Sequence, residues 1–219
     1  MHANFSHIFF NMFALWMFGS AIENIWGAKR FLIYYLITGL GAALIHYTVL
    51  YFQISPDINL MEAFISNPTS ENLDILITHH RFMIDELHSP ELYDGFTRLK
   101  DTLLVLSSDP SNATALNDDA VFISEYLAYF KNLPTIVGAS GSLFGILLAF
   151  GMMFPNTRLF LLFIPVPIKA KYFVIGYGAL ELYSGLQNNP GDNVAHFAHL
   201  GGMLFGYLLI RYWRRKRIP

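Results

Sequence analysis

The 219-residue chain has no cysteine, so disulfides, thiolate nucleophiles and thiolate–metal ligation are all excluded. It is also poor in charge: only 14% of its residues are Asp, Glu, Lys or Arg, against 54% hydrophobic residues. A soluble domain of this length rarely tolerates that balance, whereas a protein of several membrane spans reaches it naturally. The first residues, Met-His-Ala-Asn-Phe-Ser-His, carry neither a basic leader nor a small-residue cleavage site, so they do not read as a signal peptide. Nor is there an internal repeat, which argues against a small transporter built from paired halves.

What charge there is falls unevenly. Residues 52–131 hold 13 acidic and 4 basic side chains, a balance of −9, while the remainder holds 10 basic and 3 acidic, a balance of +7. Five apolar segments approach the roughly 20 residues that a helix needs to cross a bilayer: 5–25, 31–52, 137–154, 172–187 and 196–213. Lys29 and Arg30 follow the first, Arg158, Lys169 and Lys171 the third, and Arg211, Arg214, Arg215, Lys216 and Arg217 the fifth. If the spans alternate, all ten lie on one side, which the positive-inside rule makes cytoplasmic. Residues 1–4, 53–136 and 188–195 are then expected to face outward. The basic tail reads as a membrane anchor, not a nucleic-acid site. Residues 160–168, with Pro165 and Pro167, read as a loop at the cytoplasmic interface.

The 53–136 insert reads as helical but not as membrane-spanning. Leu92, Phe96, Leu99, Leu103 and Leu106 recur at steps of three and four, and Ser89-Pro90-Glu91 is a helix start: cap, first-turn proline, acid at the positive dipole end. Leu73, Ile77, Ile84 and Leu87 form a second stripe, and Asp118 to Lys131 a third helix. Their apolar faces are expected to pack on one another. The chain thus divides into 1–52 (two spans), 53–136 (a helical extracytoplasmic insert) and 137–219 (three spans and the basic tail).

Polar groups inside apolar spans are costly and mark candidate sites. Ser140 lies between glycines at the start of the third span, in Gly138-Ala139-Ser140-Gly141. His199 opens the fifth, in Ala198-His199-x2-Gly202-x3-Gly206. A hydroxyl and an imidazole together make a nucleophile and its general base. Gly141 and Gly145, and Gly202 and Gly206, form small faces that let helix backbones approach closely. His199, Gly202 and Gly206 share a stripe, which turns the imidazole toward the Ser140 helix. His7 and Asn11, four residues apart, share one face of the first span.

In order along the chain, His2-x4-His7-x3-Asn11, Gly19-x3-Glu23, Gly138-Ala139-Ser140-Gly141 and Ala198-His199-x2-Gly202-x3-Gly206 resemble the motifs of rhomboid intramembrane serine proteases. The resemblance covers all five spans and not the insert. It implies an all-α polytopic bundle, a catalytic dyad of Ser140 and His199, and an oxyanion site formed by His7, Asn11 and the backbone at Ser140. It also implies an aromatic ring, here Phe144, stacked on the histidine. Gly138, Gly141, Gly202 and Gly206 are supporting residues, and Glu23 takes the place of a structural glutamate. No cofactor is implied; the partners are the bilayer and single-pass membrane proteins. The family's core has six spans, so the resemblance also leads us to expect the first span and its lateral loop upstream of Met1, and weakened activity without them. A rhomboid-like protein that binds membrane clients without cutting them is the alternative reading.

Other polar residues have plainer readings. His196 lies three residues from His199, but no neighbouring carboxylate or cysteine in the sequence completes a metal site, so it reads as a capping or loop residue. Glu181 is expected to pair with a hydroxyl such as Tyr183 or Ser184; the alternative is a third triad member that orients the base, which needs direct contact with the imidazole. His46 reads as a hydrogen-bonded structural residue, and His79, His80 and His88 as exposed.

Overall fold

In a computed structural model the described residues are 5–133, 139–161, 164–187 and 195–216. His2 and Gly138 lie outside them. Helix α1 (Phe5–Ala14) runs through a π-helical stretch, Leu15–Gly19, into α2 (Ser20–Trp26). It stops at Gly27, whose φ of 75° and ψ of 156° belong to a region that only glycine enters without strain. The Gly27 N–H closes on the Glu23 carbonyl at 2.8 Å, and α3 (Ala28–Ser66) starts at once.

Helix α3 is 39 residues long and does not end near residue 52, where the hydropathy pattern closes the span. It continues through Pro56, which lacks the N–H that would bond back into the helix. The Ser55 hydroxyl donates to the Tyr51 carbonyl at 2.6 Å, the kind of side-chain bond that supports a helix around a proline.

The remaining elements are α4 (Ser70–His79), α5 (Pro90–Ser108), α6 (Ala113–Asn132), α7 (Ser140–Met153), β1 (Arg158–Leu161), β2 (Ile164–Lys169), α8 (Ala170–Gln187) and α9 (His196–Arg215). Where an interfacial loop is expected, β1 and β2 pair antiparallel, with Leu159 opposite Ile168 and Leu161 opposite Ile164. Pro165 and Pro167 are tolerated there because each strand of a two-stranded sheet has one unpaired edge.

The chain forms two compact units: Met1–Leu50 with Ile136–Pro219, and Tyr51–Thr135. In the first, α7 packs against α9, α8, α2 and the π-helical stretch around a core that includes Phe18, Ile22, Tyr34, Ile146, Phe150, Val174 and Trp213. Outside this core, Phe5, Phe9, Trp16, Leu40, Ile175, Leu180, Leu186 and Leu208 are each more than half exposed. That is far more bare apolar surface than a protein in water keeps. Among the described residues, two helical stretches, Phe5–Trp26 and Ala28–Ser66, are long and apolar enough to cross a membrane, and Ser140–Met153 is a shorter apolar helix.

The second unit has its own core of Met61, Phe64, Leu73, Leu76, Leu99, Ile123, Tyr126 and neighbours. Helices α4 and α6 begin on side-chain caps: Thr69 Oγ1 accepts from the Asn72 N–H at 3.2 Å, and Asn112 Oδ1 from the Ala115 N–H at 3.1 Å. Helix α5 starts on Pro90 after Ser89, as the sequence indicates, although the Ser89 side chain makes no cap bond. The stripe read from Leu73 to Leu87 is not one helix. Helix α4 ends at His79, and Leu87 is 88% exposed. His80 breaks the run. Contrary to expectation it is buried, its Nδ1 2.8 Å from Asp57 Oδ1 and its Nε2 3.1 Å from the Tyr126 hydroxyl.

Candidate active site

Ser140 is the first residue of α7, after Ala139. Leu143 is the residue whose N–H reaches back to the Ala139 carbonyl, at 3.2 Å. The N–H groups of Ser140, Gly141 and Ser142 therefore precede the helical ladder and have no carbonyl in it to reach. They gather at the positive end of the helix dipole, beside a hydroxyl that is only 8% exposed.

His199 sits in the first turn of α9, 7% exposed. Close approach of α7 and α9 brings it to the serine. A Cβ on Gly202 would run into the Gly141 carbonyl, and one on Gly141 into Ala42. A Cβ on Gly206 would strike the Tyr34 hydroxyl, which itself bonds to the Gly145 carbonyl at 2.8 Å. A larger residue at Gly202 would push α7 and α9 apart, and one at Gly141 or Gly206 would strike α3. With glycine there, Ser140 Oγ lies 2.9 Å from His199 Nε2. The Phe144 ring, one helical turn after the serine, stacks on the imidazole with centroids 4.0 Å apart and planes 7° from parallel. Tyr177 of α8 packs on Phe144, its ring 4.9 Å from that of Phe144.

The other ring nitrogen also has a partner. Glu181, from α8 and 6% exposed, places Oε2 2.9 Å from His199 Nδ1 and 2.6 Å from His196 Nδ1. The expected pairing with Tyr183 or Ser184 gives way to these two imidazoles, and Tyr183 is 63% exposed. Thus a carboxylate does stand beside His196 and His199, and the three ligand atoms lie within 4.8 Å of one another. Ligands of a tetrahedral zinc, at about 2.0–2.1 Å from the metal, stand roughly 3.3 Å apart. Separations of 2.6 and 2.9 Å are those of N–H donors to a carboxylate oxygen. No spacing rule could reveal this contact, because Glu181 and the histidines sit on different helices. The available signal was the cost of a lone carboxylate in an apolar span, which demands a polar partner.

Helix α1 contacts α7. Asn11 on it is half-buried, and its Nδ2 is buried with no hydrogen-bond partner among the described residues. His7 is also half-buried. Glu23 holds the α2 end through its backbone carbonyl. His46, expected to be hydrogen-bonded, instead has a buried Nε2 with no partner among the described residues.

The fold and site define a helical, lipid-compatible protein with a buried serine–imidazole pair at a helix start. The family model described as Rhomboid domain matches residues 1–54 and 114–216, and the chain belongs to the rhomboid family. It is accordingly an integral membrane protein. The unmatched stretch falls within the second compact unit. An uncharacterized mitochondrial rhomboid protein of Schizosaccharomyces pombe is 25% identical over 223 residues, covering 99% of this chain and 50% of the relative. The chain thus spans about half the length of that curated relative. No solved structure matches it.

Proposed function

We propose that this protein is an intramembrane serine endopeptidase that cleaves single-pass membrane proteins with a Ser140–His199 pair. The observation that carries the reading is the 2.9 Å contact between Ser140 Oγ and His199 Nε2, both buried, at the start of an apolar helix. Ser140 Oγ attacks the scissile carbonyl while its proton passes to His199 Nε2. The carbonyl electrons move onto oxygen, and the N–H groups of the first turn of α7 stabilise the oxyanion there. Asn11, with its buried and unbonded Nδ2, supplies a further donor; His7 shares its helix face. Collapse breaks the C–N bond, the Nε2 proton goes to the leaving amine, and water then releases the acyl group by the same steps. By family resemblance, the substrates are transmembrane helices that unwind readily and present a small residue before the cut.

In this reading five spans alternate, with the basic loops and tail on the cytoplasmic side and residues 53–136 outside. The test is reconstitution in liposomes with a model transmembrane substrate and a fluorophosphonate probe for an activated serine. Wild-type protein is expected to cleave the one and react with the other. Ser140→Ala and His199→Ala are expected to lose at least about 10⁴-fold in turnover. Unchanged cleavage by Ser140→Ala would remove the serine from the chemistry.

A further inference from the structure

We propose that Glu181 is the third member of a relay, a positioning residue that holds His199 in the tautomer able to take the Ser140 proton, and that His196 in turn holds Glu181. The proposal rests on the serine-protease reading and departs from the two-residue dyad that the family resemblance implies.

A neutral imidazole carries its proton on one nitrogen or the other, and only one tautomer can act as base toward Ser140. An ionised carboxylate accepts hydrogen bonds and cannot donate. Glu181 Oε2, 2.9 Å from His199 Nδ1, therefore requires the proton at Nδ1 and leaves the Nε2 lone pair facing Ser140 Oγ at 2.9 Å. The Phe144 ring, parallel to the imidazole at 4.0 Å, prevents the ring from tilting off this line. Once Nε2 takes the serine proton, the imidazolium is buried among apolar helices. A carboxylate already in contact offsets that charge without reorganisation. Through the cycle Glu181 stays ionised and the Nδ1 proton stays on the ring; only the serine proton moves, to Nε2 and then to the leaving amine.

Glu181 needs support of its own, because a buried carboxylate with a single donor is poorly compensated. His196, one turn before His199 on the same face of α9, supplies the second donor from Nδ1 at 2.6 Å to the same oxygen. Two N–H bonds converging on one oxygen fix the carboxylate between α8 and α9.

The test uses the reconstituted protein, the transmembrane substrate and the fluorophosphonate probe, with Glu181→Gln, Glu181→Asp and His196→Gln. Glu181→Gln has nearly the same shape but loses the charge and can offer an N–H to Nδ1, favouring the wrong tautomer. The equivalent Asp→Asn change in a serine-protease triad costs about 10⁴ in kcat. We expect Glu181→Gln to lose 10²–10⁴-fold in kcat with KM within threefold of wild type and thermal unfolding nearly unchanged. Glu181→Asp, which keeps the charge, is expected to recover at least tenfold over Gln, and His196→Gln to lose about tenfold. The role is overturned if Glu181→Gln keeps kcat within threefold of an active wild type. It is equally overturned if both Glu181 variants fail to fold, or if Asp is no better than Gln, since the residue is then structural. Wild-type protein inert toward both substrate and probe sinks the protease reading itself, and this proposal with it.

Discussion

In the proposed mechanism, Asn11 is a single side chain kept ready at a cost. Its Nδ2 is buried without a hydrogen-bond partner among the described residues, which carries a desolvation penalty of about 1–3 kcal/mol. A donor left unpaired in this way gains its full interaction energy only when an acceptor arrives, and a transition-state oxyanion is such an acceptor. Asn11→Ala should therefore reduce kcat by about 10²–10³ with little change in KM. Steady-state kinetics on the transmembrane substrate measure this; a rise in KM at constant kcat would place Asn11 in substrate binding instead. Phe144 contributes differently. It has no polar group to offer the site, and its parallel stacking at 4.0 Å restricts the rotation of the His199 imidazole.

At the scale of helices, the contact between α7 and α9 holds the serine and the imidazole in register. Gly202→Ala would drive a methyl group into the Gly141 carbonyl, and the backbone of a helix cannot move aside as a flexible side chain can. Overpacking of this kind costs about 1–3 kcal/mol, and a displacement of about 1 Å between reacting groups can cost 10²-fold in rate. Gly202→Ala should thus lower both thermal stability and turnover. Gly176→Ala on α8, where an added Cβ meets nothing within 4 Å, should leave turnover unchanged. Comparing the two in one reconstitution separates helix approach from a general intolerance of alanine.

The helices of the second unit carry a pH dependence of their own. Asp119 on α6 is 3% exposed, and its Oδ2 has no hydrogen-bond partner among the described residues. Burial pushes its carboxyl up to about 6, with Asp118 adding to the rise and the Thr102 hydroxyl opposing it. The unfolded chain releases this proton near 3.8. Between those values the native state holds the proton after the unfolded state has lost it, so stability falls as pH rises. The contribution is complete below about pH 4 and gone above about pH 6. A difference of about two units corresponds to at most about 3 kcal/mol. Asp119→Asn should slow hydrogen exchange across α5 and α6 at pH 7 and flatten its dependence between pH 4 and 6. Faster exchange in the variant at pH 7 would show that the carboxylate has a stabilising partner when charged.

For the whole molecule, the apolar shell and the charge asymmetry together set an expected orientation. The acidic segment 52–131 and the basic ends of the other helices should lie on opposite sides of the bilayer. Protease added to the outward face of sealed vesicles is expected to cut within residues 53–136 and to spare the 214–217 tail. Cutting of the tail alone would invert the orientation. The second unit has its own core, and both members of the serine–imidazole pair belong to the first.

Much of this was determined by the sequence alone. The hydropathy pattern and low charge call for membrane helices, and the period of Leu92 to Leu106 with its Pro90 start marks α5 to within a few residues. The small-residue steps of Gly141, Gly145, Gly202 and Gly206 were legible because close helix contact leaves room for little else. These signals are local: each depends on a repeat or a spacing within one helix. What the tertiary structure decided were contacts between helices and the places where a run of like residues stops. Helix α4 ends at His79 because His80 turns inward to Asp57 and Tyr126, residues 23 and 46 positions away. Helix α3 passes Pro56 although proline and falling hydropathy argue for an end there. Glu181 meets His199 across 18 residues and two helices. A lone carboxylate in an apolar segment announces that it must have a partner; only the packing of α8 against α9 determines that the partner is the imidazole beside Ser140.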